Sequence, residues 1–207
     1  MNVLSFFINN FHKLPPESYQ KFLELTELKK FNNKDVLTKT GDKPTDLYIL
    51  KRGIVRSYYE DENGKEYIRS LFVPFSSTGS FGALVSNKNS LLTYQCLTDC
   101  ELFVINYKKL KELALVDNDI AVMYANALES IFLLFEKKIY NLSVLDATER
   151  YKELKKEIPN IENIIPQYHI ASYLNISAVQ LSRIRKKYIQ NNSINIGKEL
   201  INKLYLI

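Results

Sequence analysis

Short apolar runs separated by turn residues fill the chain from Lys30 to Asn106. The runs cover residues 36–38, 47–50, 54–59, 67–73, 94–97 and 102–105. Asn32-Asn33, Gly41-Asp42, Arg52-Gly53, Glu62-Asn63-Gly64 and Thr98-Asp99 punctuate them. Many short strands at even spacing predict an antiparallel sandwich or barrel-like roll. Asn63-Gly64 marks a hairpin between two of them. Ahead of this stretch, Pro15 to Lys29 predicts a helix. Pro16 suits its first turn, and Tyr19, Phe22, Leu23 and Leu25 supply its apolar face.

After Asn106 the period becomes helical. Residues 108–115 predict one short helix and residues 117–145 a long one. In the long helix Ile120, Met123, Tyr124, Ala127, Leu128, Ile131, Phe135, Ile139 and Leu142 recur at i, i+3, i+4, i+7. Phe132, Leu133 and Leu134 lie partly off that face. A stripe this wide predicts two neighbours, the roll and a second copy of the helix, with Ile120, Tyr124, Ala127, Ile131, Phe135 and Leu142 as the dimer contact. Asp146 then starts another helix, with Glu149 in capping-box position. Pro159 stops it, and residues 160–165 read as a linker to Pro166.

Residues 167–186 carry the chemistry. Counting Gln167 as the first position, the fourth, eighth, tenth, fifteenth and eighteenth are Ile170, Leu174, Ile176, Leu181 and Ile184, all apolar. Ala171 is small enough to let two helices cross closely. Asn175 stands where the turn needs left-handed dihedrals, and Ser177 caps the second helix. This is the helix-turn-helix pattern. On the second helix Leu181, Ile184 and Tyr188 point inward. Ala178, Val179, Ser182, Arg183, Lys186 and Lys187 occupy the opposite face. In a major groove Arg183 pairs with guanine, Ala178 and Val179 touch thymine methyls, and Ser182 serves either strand. Lys186, Lys187 and Arg185 are assigned to phosphates. Gln167, Tyr168, Ser177 and Gln180 complete the expected contact set for double-stranded DNA.

Charge supports that placement. The 207 residues carry a net charge of +5. Residues 1–145 hold 18 basic and 17 acidic groups, whereas residues 146–207 hold 10 basic and 6 acidic. No Asp or Glu occurs from Ile164 through Lys198. A positive surface confined to one end attracts a phosphate backbone. With 46% hydrophobic and 25% charged residues, wholesale disorder is excluded. No apolar run reaches the about 20 residues of a membrane span. The first residues lack a basic start and a small-residue cleavage site, so a secretory signal is not expected. Two cysteines in such a chain read as belonging to a reducing cytoplasm.

With the run Thr40-Gly41-Asp42-Lys43-Pro44-Thr45-Asp46-Leu47-Tyr48-Ile49-Leu50-Lys51-Arg52-Gly53, the long helix and the helix-turn-helix, nearly the whole chain resembles the CRP/FNR family of bacterial transcription regulators. The resemblance implies an α+β fold: an N-terminal antiparallel β-roll of the cyclic-nucleotide-binding type, a dimerising helix and a C-terminal winged helix-turn-helix. The expected divisions are 1–116, 117–145 and 146–207. It further implies a homodimer on a two-fold symmetric operator, with RNA polymerase as a further candidate partner. Family members that bind cyclic nucleotides place a Glu after a Gly in a short cassette, followed by an Arg-Ser or Arg-Thr pair. Here Ala83 stands for the Glu and Leu92 precedes Thr93 where Arg belongs. A ligand pocket is expected around Gly82, Ala83, Leu84, Leu92 and Thr93, but a buried phosphate without its cation is costly. Cyclic nucleotide binding is therefore not expected, and the effector is left open. An iron–sulfur cluster usually needs four thiolates, so no cofactor is expected.

Cys96 and Cys100 flank a turn. They read as small strand hydrophobes, with a hairpin disulfide or redox switch as the alternative. His169 reads as a surface or capping residue, and His12 lies in a different module. No residue set for an enzyme and no metal spacing is visible. The rival to a DNA-binding regulator is a ligand-binding sensor whose C-terminal helices make protein contacts only.

Overall fold

The computed structural model describes residues 3–190. The chain divides into two compact units, Met1–Ile139 and Tyr140–Ile207. In the first, α1 (Val3–Asn9) and α2 (Pro16–Glu24) precede β1 (Thr26–Phe31), β2 (Val36–Thr38), β3 (Asp46–Arg52), β4 (Val55–Glu60), β5 (Glu66–Phe72) and β6 (Ser77–Thr78). Then come α3 (Phe81–Ser86), β7 (Thr93–Cys96), β8 (Cys100–Asn106), α4 (Tyr107–Val116) and α5 (Asn118–Val144), which runs on into the second unit.

All strand pairings are antiparallel. One sheet has the order β1-β8-β3-β6 and the other β2-β7-β4-β5, which together form the expected roll. Strands β3 and β8 are apolar at consecutive positions because both of their faces are covered. Tyr48, Leu50 and Leu102 join Val55, Cys96 and Cys100 in one cluster. Their neighbours Ile49, Phe103 and Ile105 join Leu4, Phe7, Ile8, Phe22, Leu110, Ile120 and Met123 of the helices in another. The turn after β3 needs Gly53. Its φ is +97°, and a Cβ there would meet the Asp99 carbonyl and the Cys100 sulfur at 2.5 Å. Between β4 and β5 the register slips: Ser57 faces Ser70 and Tyr58 faces Ile68, which leaves Arg69 as the extra residue of a bulge.

Several expectations need correction. The helix read from Pro15 to Lys29 ends at Glu24, and its last residues enter β1. Thr26 through Phe31 pair with Ile105 through Cys100, so backbone pairing to β8 overrides helical periodicity in a mostly exposed strand. Helix α1 had no sequence assignment, yet it buries Leu4, Phe7 and Ile8. The Asn63-Gly64 hairpin exists, but with a loop in which Asp61 N donates to the Lys65 carbonyl at 3.0 Å. Cys96 and Cys100, in contrast, are free, buried thiols as the reading of small strand hydrophobes expects, and the Cys100 thiol points to the Thr98 and Ile54 carbonyls.

Helix α5 starts where expected, with the Asp117 carboxylate accepting from Ile120 N at 3.3 Å. Ile120 is fully buried in the chain's own core. It therefore holds the helix to the roll and cannot serve as a partner-facing residue. Tyr124 also turns inward, hydrogen-bonding Tyr107 at 2.9 Å. Beyond Ile131 the character changes: Phe132, Leu133, Leu134, Phe135, Ile139, Tyr140, Leu142 and Val144 are all exposed. Among the described residues no helix is long and apolar enough to cross a membrane.

In the second unit α6 (Ala147–Glu157) starts at the expected capping box. Asp146 accepts from Glu149 N at 2.8 Å, and the Glu149 carboxylate accepts from Asp146 N at 2.9 Å. The stretch 160–165 is not a plain linker. It carries α7 (Ile161–Ile164) and buries Ile161 and Ile165 in the unit's core. Then follow α8 (Gln167–Tyr173) and α9, residues 178–190. The wing expected after α9 lies outside the described residues.

Candidate nucleic-acid interface

Helices α8 and α9 meet through the predicted apolar set. Ile170, Ala171, Leu174, Leu181 and Ile184 are buried, and Ile176 is half-buried. Asn175 adopts φ 54°, the left-handed conformation the turn requires. The Ile176 amide then closes the turn by donating to the Ala171 carbonyl at 3.0 Å. Ser177 caps α9: its Oγ accepts from Gln180 N at 3.1 Å, and Gln180 Oε1 accepts from Ser177 N at 3.1 Å. This reciprocal box fixes the entry of the helix. It also ties the Gln180 carbonyl oxygen to the cap, leaving only its amide NH2 for outside contacts.

The outer face of α9 is bare. Ser177, Ala178, Val179, Gln180, Ser182, Arg183, Lys186 and Lys187 are all exposed. Tyr168 at the start of α8 is exposed and Gln167 half-buried. No carboxylate among the described residues pairs with Arg183, Lys186 or Lys187, so their charge is directed outward. The geometry brings small, apolar and cationic groups together on one exposed helix face.

Two residues behave otherwise than expected. Arg185 does not join that face. Its Nε donates to the Glu162 carboxylate, which also accepts from Tyr151 Oη at 2.8 Å and Lys155 Nζ at 3.2 Å. Burial works against the Glu162 charge, but the hydrogen bonds from Tyr151, Arg185 and Lys155 outweigh it and hold the carboxyl below the usual range. Glu162 thus clamps α6, α7 and α9 together. Only its place in a basic stretch hinted at this, since it is the last acid before the acid-free run. His169 is buried rather than at the surface, with its ring 4.0 Å from that of Tyr168.

A cyclic nucleotide-binding domain model matches residues 28–117. The cAMP-activated global transcriptional regulator CRP of Salmonella typhimurium is 30% identical over 129 residues, covering 62% of this chain and 61% of its own. Vfr of Pseudomonas aeruginosa, also described as cAMP-activated, is 24% identical over 133 residues, 63% of this chain and 62% of its own. A Crp/Fnr-family transcriptional regulator structure from Eubacterium rectale superposes with a TM-score of 0.67 at 14% identity, covering 86% of this chain and 85% of that one. Residues 28–117 match a cyclic nucleotide-binding domain, and the chain is similar in sequence to CRP and Vfr and in fold to a Crp/Fnr-family regulator. FixK2 from Bradyrhizobium japonicum shares the fold with a TM-score of 0.67 at 17% identity, over 81% of this chain and 86% of its own. The chain spans about three fifths of the length of the relatives it matches by sequence.

Within this fold the cassette region is apolar. Ala83, Leu84, Leu92 and Thr93 are buried and Gly82 is exposed. The hydroxyl of Thr93 is engaged by Thr40 at 3.1 Å. Lys88, just beyond α3, is exposed. The cations on the roll's strands lie elsewhere. Arg56 on β4 is buried against Glu66 and Gln95. Arg69 on β5 donates to Tyr94 Oη at 3.1 Å.

Proposed function

We propose that the chain is a non-enzymatic, cytoplasmic transcription regulator that binds a two-fold symmetric operator as a homodimer, through the exposed face of α9. The observation that carries this reading is the outward charge of Arg183, Lys186 and Lys187 on a capped helix seated by the helix-turn-helix core. The division of labour follows residues 1–116, 117–145 and 146–207. In the contact set Arg183 reads guanine, Ala178 and Val179 face thymine methyls, and Ser182 assists. Lys186 and Lys187 meet phosphates, with Gln167, Tyr168, Ser177 and Gln180 at the edges. The second half of α5 supplies the dimer contact. Phe132, Phe135, Ile139 and Leu142 recur at heptad spacing and are all exposed.

The roll works without cyclic nucleotide. The Salmonella relative is cAMP-activated by name, but here the cassette positions hold Ala83 and Leu92. Selection of bound duplexes from a random library tests the reading. Enrichment of a palindrome, with affinity falling steeply in salt, is expected. No enrichment and no salt-dependent shift would assign the C-terminal helices to protein contacts.

A further inference from the structure

The cation that matters in the roll is Arg69. The bulge between β4 and β5 leaves it unmatched across the ladder, and bulges commonly re-aim a side chain at functional sites. One guanidinium NH2 reaches Tyr94 Oη at 3.1 Å, and the group lies 5.4 Å over the ring of Phe135 on α5. Its Nε is buried and has no hydrogen-bond partner, and no carboxylate among the described residues pairs with it. Ser57 faces Tyr94 on one side and Ser70 on the other. Ser57 is fully buried, and its Oγ also lacks a partner. Tyr94 is itself buried beside Phe72, their rings 6.2 Å apart.

A guanidinium is permanently charged and offers five donors in a fork shaped for carboxylate or phosphate. A partly buried charge with no counter-ion destabilises a fold, and buried polar groups are otherwise satisfied. Two orphaned donors on neighbouring strands, with aromatic walls and the long helix alongside, form a recognition set. We propose that the face where β5, β7 and α5 meet binds a small organic anion, its carboxylate or phosphate paired with Arg69 and within reach of Ser57. This deepens the effector half of the proposed function and needs no cyclic phosphate cassette. Binding at Arg69 is independent of α9, so it stands or falls separately from DNA recognition.

The test is thermal unfolding of the full chain in inorganic phosphate, in succinate and in sodium chloride of matched ionic strength. Wild type should gain about 2–5 °C from one of the two anions over chloride, and which one distinguishes phosphate from carboxylate recognition. Arg69→Leu should lose that gain while melting no lower than wild type in chloride, because it removes an uncompensated charge. Arg69→Lys keeps the charge but not the fork, and should respond at least several-fold more weakly. An Arg69 that only props up Tyr94 and Phe135 predicts the reverse, a lower melting point for Arg69→Leu with any anion response intact. That result overturns the proposal, as does a wild type that responds to neither anion or a variant that responds as wild type does.

Discussion

Replacing Phe132 and Ile139 together by Glu puts two charges into the exposed heptad stripe of α5 without touching Phe135 or the buried Ile120. Within one chain the two side chains are 62% and 60% exposed. Full burial of a large apolar side chain stabilises by about 1.5–3 kcal/mol, so covering the exposed part contributes about 1–2 kcal/mol each. A two-fold interface covers each residue twice, which gives roughly 4–8 kcal/mol for the dimer as an upper bound. At about 1.4 kcal/mol per tenfold, the dimer Kd should rise by at most roughly three to six orders of magnitude. Sedimentation velocity over a concentration series reads this directly. Wild type should be dimeric and the double variant monomeric at micromolar concentration, both with the same circular dichroism. A wild type that sediments as a monomer with and without DNA, or a double variant that dimerises as wild type does, refutes the assignment of this stripe.

Further outcomes follow from the second unit and the cassette. Arg183→Ala should cost about 1–3 kcal/mol per half-site on the selected operator and relax preference at one base pair, whereas Lys187→Ala should weaken all duplexes alike and lower the salt slope by about one. Competitive binding to matched and scrambled duplexes separates the two. Glu162→Gln should destabilise the second unit by about 1–2 kcal/mol, discounted for the partial exposure of its partners. Because the Glu162 carboxyl is held low in the folded state, its contribution is present above the ordinary carboxylate range and is lost as pH falls through the folded value, so the variant should show a flatter acid limb in urea melts. Calorimetry with cyclic AMP should show no binding at micromolar concentration, and binding there would mean that the cassette is served by another cation.

What was readable in advance depended on local rules. Ile170, Leu174, Leu181 and Ile184 follow helical spacing, Asn175 answers a backbone requirement and Ser177 a capping requirement, and all sit as expected. The Asp146–Glu149 box is equally local. Strand β1 was not readable, because Glu27, Lys29 and Lys30 carry no period-two signal and the strand exists only through its partner β8. Ile120 shared its spacing with Phe135, and periodicity alone does not say which neighbour covers a given turn. The roles of Arg69 and Arg185 rest on contacts between residues 25 and 23 positions apart. Arg69 reaches Tyr94 and Arg185 reaches Glu162 only once the strands and helices are assembled.

Phe135 belongs to two constellations at once, and this couples them. Its ring lies over Arg69, and it sits in the exposed stripe proposed as the dimer contact. When a second copy covers Phe135, the guanidinium beneath it loses solvent, and a desolvated charge without a counter-ion opposes association. An anion on Arg69 removes that penalty, so it should tighten the dimer. By reciprocity, dimerisation must tighten anion binding by the same factor. Couplings of this kind typically amount to about 5–150-fold. Sedimentation of wild type in whichever of phosphate or succinate stabilises it, against matched chloride, should therefore show a lower dimer Kd. Arg69→Leu should dimerise tightly in both buffers, because the charge that opposed association is gone. If the anion leaves the wild-type dimer Kd unchanged while still raising the melting temperature, the two sites are independent and Phe135 does not link them.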